Sequence, residues 1–284
     1  MINRTVRGME FKDLPFTLEC IRSSGRVSAT DEELEGFLLS DPKGCFVAEQ
    51  LRRPVGMSIA RSYGKYGFLG ATASPEIDGS AIAERDLLDH AAGYLLHCGC
   101  EHLFAETRGT CVPLYERAGF VKQCRIVRFA GSVYARSHHH VRALRPHDLS
   151  IIGDLDKHSF RADRRFFLKR RYSLTPQFCK VLEMNGRIRA YIMARKAEGV
   201  LAVGPWVVTS NADCPADLLE SIANEAMSGK LLVEVLETNR AAVDLLRTLG
   251  FVESPELTWR MALGKRCNVG LSDSLFAIGS PFTG

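Results

Sequence analysis

The sequence predicts an α/β (α+β) chain built as two tandem units, each a mixed, mostly antiparallel sheet flanked by helices. Three observations carry this prediction. The 284 residues are long for one ordinary domain and comfortable for two. The stretch "VPLYERAGFV" (Val112 to Val121) returns 131 positions later as "VDLLRTLGFV" (Val243 to Val252), with five of ten residues identical. Other echoes follow in the same order: "VRGMEFKDL" and "VRALRPHDL" at an offset of 135, "CFVAEQ" and "CKVLEM" at 134, Arg61 and Arg195 at 134, Arg128 and Arg260 at 132. A slowly shrinking offset is the trace of two similar units that differ by small loop deletions. The predicted division is a first unit over 1–131, a connector over 132–140 and a second unit over 141–284, since "GSVYARSHHH" is small and polar.

Each element of the first unit follows from local pattern. A strand at Thr5 to Gly8 leads through Asp13 into a helix over Leu14 to Arg22, and "DEELEGFLL" gives a second helical pattern. "GCFVAEQ" and "PVGMSIARSY" read as strands joined by the turn "LRRP", and "GFLGATASP" as a fourth strand. Between Ala81 and Cys98, Leu87, Leu88, Ala91, Ala92, Leu95 and Leu96 recur at three- and four-residue steps, which is one face of a helix. "EHLFAET" is a fifth strand. "CVPLYERAG" is a short helix closed by Gly119, because glycine accepts the left-handed conformation of a C-cap. "FVKQCRIVRFAG" continues as a strand or hairpin, and the second unit repeats the order.

Composition narrows the function classes. With 46% apolar and 25% charged residues the chain is globular, and a net charge of +4 permits anionic ligands without implying a nucleic-acid coat. No charged-then-apolar leader and no apolar run near ~18 residues stands in the sequence, so neither membrane nor export is expected. Nine scattered cysteines, with Cys98 and Cys100 the closest pair, fit a reducing cytoplasm rather than a disulfide or zinc framework. "SHHH" (Ser137 to His140) reads as a solvated connector, and no metal is expected.

Strand four, the long helix, strand five and "LYERAGF" together resemble the GNAT superfamily of acetyl-CoA-dependent N-acetyltransferases, across the whole chain and twice over. The second half also resembles a bacterial tandem-GNAT subgroup through Asp156, Phe160, Asp163, Arg164, Phe167 and Leu168 and the closing "AIGSPFTG". The resemblance implies acetyl-CoA as cosubstrate. Its pantetheine arm would lie on the strand-four backbone at Ala71, Thr72 and Ala73. Its pyrophosphate would lie on the following loop and helix start, Gly79, Ser80, Ala81, Ile82, Ala83 and Arg85. Free N–H groups and the helix dipole favour an anion at such a place. Two departures stand out: Ala81 and Ala83 replace common glycines, and Asp78 stands where a basic residue is usual. The second copy has no glycine loop and starts its helix at Pro215, so coenzyme A is not expected there.

The resemblance also implies a general acid. A tyrosine at the position of Tyr115 gives a proton to the departing thiolate, and a phenol with a pKa near ~10 is protonated to do so. The second copy has Leu246 there, keeping the packing without the hydroxyl. The alternative reading of Tyr115 is an amphipathic core residue. Glu106, at the end of strand five, is the candidate general base, with Glu49 on strand three a second carboxylate and a water chain the alternative. Arg108 replaces the family's usual asparagine, which the second copy keeps as Asn239, and is a candidate contact to an acidic substrate or a phosphate. In "FRADRRFFLKRR" the Phe and Leu positions face one way and the arginines the other, leaving Asp163 and Arg164 as candidate ligand contacts.

The expected function is acetyl transfer to an amine of a small molecule by the first half, the second serving as a substrate or support domain. The alternative is a catalytically reduced GNAT unit binding an acyl-CoA or metabolite as a regulatory module. A small-molecule amine is the expected partner, with a homodimer as a further option.

Overall fold

The computed structural model describes residues 4–24, 30–75, 80–197, 199–223, 225–226, 229–264, 268 and 271–279, without the side chains of 80–82. The first half runs β1 (Arg4–Gly8), α1 (Leu14–Ser23), α2 (Asp31–Ser40), β2 (Cys45–Gln50), β3 (Arg53–Tyr63), β4 (Tyr66–Ala73), α3 (Ser80–His97), β5 (His102–Arg108), α4 (Val112–Arg117) and β6 (Val121–Gly131). The second half repeats that order as β7 (Val141–Ala143), α5 (Asp148–Phe160), α6 (Arg165–Leu174), β8 (Cys179–Met184), β9 (Arg187–Ala197), β10 (Val200–Val208), α7 (Ala216–Ala223), β11 (Leu231–Leu236), α8 (Arg240–Thr248), β12 (Val252–Glu253) and β13 (Thr258–Gly264). It then adds β14 (Leu275–Ala277).

The repeat is legible side chain by side chain. Arg7 forks Asp13 at 2.7 and 2.9 Å and reaches Glu49 at 2.8 Å, while Asp13 also accepts the Glu10 N–H. Arg142 forks Asp148 at 2.6 and 3.0 Å and reaches Glu183 at 2.7 Å, while Asp148 accepts the Arg145 N–H. A planar guanidinium paired with a carboxylate that also accepts a backbone donor fixes the first strand against the first helix in both units. α2 starts on a capping box, Thr30 accepting from Glu33 N–H and Glu33 from Thr30 N–H, so its orphan donors are satisfied locally.

The compact units do not divide the chain at the connector. Unit 1 is residues 1–123 with 259–267, and unit 2 is 124–258 with 268–280, apart from the last four residues. Each half therefore sends its closing strand to the other half's sheet. In unit 1 the strand order is β1-β2-β3-β4-β5-β13, with β1/β2, β2/β3 and β3/β4 antiparallel and β4/β5 parallel. In unit 2 it is β7-β8-β9-β10-β11-β6, antiparallel except for β10/β11. Met261 from β13 lies in the unit 1 core with Leu69, Leu103 and Phe120. Val127 and Phe129 from β6 lie in the unit 2 core with Val233, Trp206 and Leu246. The sequence could not show this exchange, because β6 and β13 carry the same alternating pattern and fit either sheet. Among the described residues no helix is long and apolar enough to cross a membrane.

Candidate functional site

In unit 1 the parallel strands β4 and β5 pair from Tyr66↔His102 to Leu69↔Ala105 and then part. They part at a bulge: Ile59 faces Ala71 and Ala60 faces Leu69, leaving Gly70 as the extra residue. A bulge re-aims the strand, and parting leaves that edge of β4 without β5 as its partner. Ala71, Thr72 and Ala73 follow on that edge, buried and held on the other side by β3, with the Thr72 hydroxyl 3.0 Å from that of Ser58. Among the described residues, β4 has only β3 and β5 as strand neighbours.

Beyond the edge, Ser74 donates to Glu84 at 2.9 Å, tying the end of β4 to the first turns of α3. Asp78 and Gly79 lie outside the described residues, and so do the side chains of Ser80, Ala81 and Ile82, whose backbone opens α3. Ala83 is buried in the unit 1 core. Arg85 is half-exposed and bonds Asp89 one turn on, at 2.7 Å, so its charge is shared with its own helix.

Tyr115 lies on the six-residue α4, 2% exposed, edge-on to Phe120 at 5.6 Å between centroids. Its carbonyl accepts the N–H groups of Ala118 and Phe120, which closes the helix into β6. Leu246 takes the matching place in the unit 2 core, fully buried. Glu106 is buried at the point where β5 leaves β4, and Arg260 of β13 donates to it. Arg260 also lies over the Phe68 ring at 5.6 Å. The two make a charge-assisted pair buried inside unit 1. Arg108 donates to the Ser24 carbonyl at the C-cap of α1, where a helix favours a cation.

The same fork in unit 2 is built alike and finished differently. β10 pairs with β11 from Leu201↔Leu231 to Val203↔Val233 and then bulges at the cis peptide Gly204–Pro205, 134 residues after Gly70. Here β14 occupies the fork. Ala277 faces Trp206 and Leu275 faces Val207 on the β10 side, while Ile278 N–H donates 3.0 Å to the Glu234 carbonyl on the β11 side. A Cβ on Gly204 would fall 2.0 Å from the Ile278 carbonyl oxygen, so only glycine admits this approach. Asn239 caps α8 through Ala242 N–H at 3.1 Å, and its amide donates to the carbonyls of Asp273 and Leu275 at 2.9 Å each. That asparagine is a clasp for β14. No local pattern in the sequence marks β14 as the strand that fills the fork.

Asp163 and Arg164 separate in the structure. Asp163 is exposed and holds Arg165, whose backbone N–H at 2.9 Å is the main cause of a carboxyl held below the usual range. Arg164 is 2% exposed, bonded to Asp156 at 3.0 and 2.6 Å and lying 3.8 Å over Phe160. Tyr191 donates to the same Asp156 at 2.6 Å. The Asp-Arg pattern is thus an internal network that pins α5 to β9, with Arg164 turned inward. Arg128 and Arg260, singled out by the repeat, pair with matching glutamates: Arg128 with Glu234 at 2.7 Å, Arg260 with Glu106. Their partners were missed because the glutamates stand 128 apart while the arginines stand 132 apart.

Two parallel-strand forks, each with a bulge on one strand and a helix leaving that strand's end, make a duplicated α/β fold. Residues 152–277 match the family model described as the acetyltransferase (GNAT) domain. The chain has a GNAT-like fold in tandem, and its second half carries the match to that family model. It is similar in structure to a putative acetyltransferase from Pyrococcus horikoshii (TM-score 0.80, 16% identity, 99% of this chain and 96% of that one). It is also similar to a tandem GNAT protein from the clavulanic acid biosynthesis pathway (TM-score 0.64, 11% identity, 93% and 100%). A GCN5-related N-acetyltransferase from Sphaerobacter thermophilus is a further likeness (TM-score 0.61, 14% identity, 94% and 98%). No curated protein matches the sequence.

Proposed function

We propose that unit 1 transfers an acetyl group from acetyl-CoA to the amine of a small molecule, and that unit 2 supports it without binding coenzyme A. The observation that carries this reading is the contrast between the forks: β4 and β5 part with the edge Ala71–Ala73 unclaimed by any described strand, while β14 fills the gap between β10 and β11. The extended backbone of Ala71–Ala73 fits a pantetheine arm, which carries amides able to pair as a strand does. The start of α3 fits its pyrophosphate. When bound, acetyl-CoA supplies an activated thioester. This chain's residues then divide the work. The amine nitrogen bonds the acetyl carbon as the C–S bond breaks. Tyr115 donates its phenolic proton to the leaving sulfur and is reprotonated through solvent by the proton the amine gives up. Glu106 paired with Arg260 orients the incoming amine, and Arg108 holds α1 by its Ser24 carbonyl.

The experiment is thiol release from acetyl-CoA across a panel of small amines, run on the wild-type chain beside hydrogen exchange with coenzyme A. Turnover with protection of Ala71–Ala73 and the start of α3, and none at Trp206–Val208, is the expected result. Protection without turnover would favour the second reading, an acyl-CoA-binding regulatory module. The deep burial of Tyr115 in an apolar cluster is what favours that reading. Protection of Trp206–Val208 instead would move the site to unit 2 and end both.

A further inference from the structure

We propose that His138, His140 and Asp217 form a binding site for a divalent transition metal, Zn²⁺ first, with Glu220 orienting His138. The site joins the end of the connector to the first turn of α7, within unit 2. His138 faces a carboxylate from each ring nitrogen: Nε2 is 2.9 Å from Glu220 and Nδ1 is 3.3 Å from Asp217. His140 Nε2 is 2.6 Å from the same Asp217 oxygen. A neutral imidazole carries one N–H and can serve one of those carboxylates, leaving its other nitrogen lone pair against an anion. A cation between His138 Nδ1, His140 Nε2 and Asp217 removes that conflict and lets His138 donate from Nε2 to Glu220. That is the carboxylate–histidine–metal arrangement in which the outer carboxylate fixes the ring's tautomer.

The geometry is close to what zinc asks for. The three ligand atoms lie within 4.8 Å of one another, on side chains only 16–21% exposed. Bonds of ~2.0–2.1 Å at tetrahedral angles set ligand atoms roughly 3.3 Å apart, so the His138–Asp217 separation already fits and the His140–Asp217 contact must lengthen by some tenths of an ångström. The backbone holds the ligands in place. Glu183 N–H donates 2.8 Å to the His140 carbonyl, Val141 N–H donates 3.0 Å to that of His138, and Arg136 N–H reaches the Glu220 carbonyl on α7. Asp217 and Glu220 stand three apart on one helix face. Beside His140 opens a cavity of about 370 Å³, lined also by Asp213 and Cys214. Two imidazoles and one carboxylate suit zinc, cobalt or nickel over magnesium or calcium.

The test is a titration of the full chain, freed of metal by dialysis against a chelator, with Zn²⁺ by calorimetry and with Co²⁺ by absorption. One saturable equivalent is expected, with a tetrahedral cobalt spectrum and a zinc-dependent rise in Tm. His140→Ala and Asp217→Asn should remove that rise, and Glu220→Gln should weaken binding roughly 10–100-fold. Should those variants fail to fold, the wild type still decides: zinc must shift the imidazole ¹⁵N resonances of His138 and His140. The proposal is overturned by unshifted resonances, by binding that survives His140→Ala, or by a thiolate-to-cobalt charge-transfer band placing the metal on cysteines. It is equally overturned if His138 proves doubly protonated at neutral pH and no metal binds, which would make the cluster a plain ion pair.

Discussion

Where β4 leaves β5 after Leu69, and β10 leaves β11 after Val203, the two units reach the same fork through the same bulge, at Gly70 and Gly204. From there they differ. Unit 2 closes its fork with β14, clasped by Asn239 and admitted by the bare backbone of Gly204. Unit 1 places Arg108 against α1 instead and carries a tyrosine where unit 2 carries leucine. A duplicated scaffold keeps what every copy needs to fold, the Arg7–Asp13 and Arg142–Asp148 forks among it. What changes is the segment that meets the opening, and that is where function can be gained or surrendered.

The sharpest way to break the comparison is Tyr115→Phe. The ring and its contact with Phe120 stay, and only the donor goes. A positioned general acid predicts a kcat loss of ~10²–10⁴ with little change in Tm, read in the thiol-release assay beside a thermal melt. Full activity would reduce Tyr115 to packing, and the difference from Leu246 would carry no catalytic meaning. Leu246→Tyr should add no activity.

Next in size is Phe276→Ala on β14. Phe276 is buried with its ring 5.3 Å from that of Trp206. Its loss should cost roughly 3–5 kcal/mol of unit 2 stability in a denaturant titration. Hydrogen exchange should accelerate at Trp206–Val208 and stay unchanged at Ala71–Ala73. An unchanged midpoint would mean β14 is a loose cover.

Smaller effects come from the forks the units share. The Asp13 carboxyl is held below the usual range by the Arg7 guanidinium first, against burial, with help from the Glu10 N–H. Burial alone would raise Asp148, and its bonds from Arg142 and the Arg145 N–H outweigh that. Both depressed carboxyls contribute stability that is present above the unfolded value near ~3.9 and lost as pH falls through the folded value. Asp13→Asn and Asp148→Asn should each destabilise by about 1–3 kcal/mol at pH 7, by similar amounts. The gap from wild type should shrink below about pH 4. Thermal melts across pH check the sign, and a gap that persisted at pH 2–3 would mean the loss is steric.

Thiol labelling should disturb stability least. Burial pushes Cys45 and Cys179, 134 residues apart, each up to about 12, so both should resist a maleimide in the native protein. Exposed Cys98 and Cys214 should react first by peptide mapping.

The sequence carried the scaffold further than the site. The echoes at Val6, Cys45, Arg61 and Gly119 led to elements the structure repeats, because a helix C-cap or an alternating strand is written locally. The partner of Glu106 was not legible: it lies 154 residues away on β13, and no local pattern says which sheet a strand will join. The role of Asn239 escaped for a similar reason. The sequence marks it only as the family's usual asparagine, and it is an N-cap whose amide reaches carbonyls 34 and 36 residues on. Arg164 looked like a ligand contact because a charged run says nothing of which arginine turns inward to an aspartate. His138 and His140 looked solvated because Asp217 and Glu220 arrive from a helix about 80 residues later.

The traded closing strands bear on how the chain is made. Unit 1 lacks the neighbour of β5 until β13, ending at Gly264, has left the ribosome. The usual order, in which an N-terminal domain finishes folding before the next begins, is closed to this protein. During most of synthesis β5 presents a bare edge with a buried-type acid, Glu106, still waiting for Arg260. Such an edge is a template for pairing with another nascent chain. A fragment ending at the connector keeps that edge for good, and its ready remedy is to borrow a closing strand from a second fragment of the same kind. Joining the copies in one polypeptide makes the loan internal, at the cost of a slow, long-range final step.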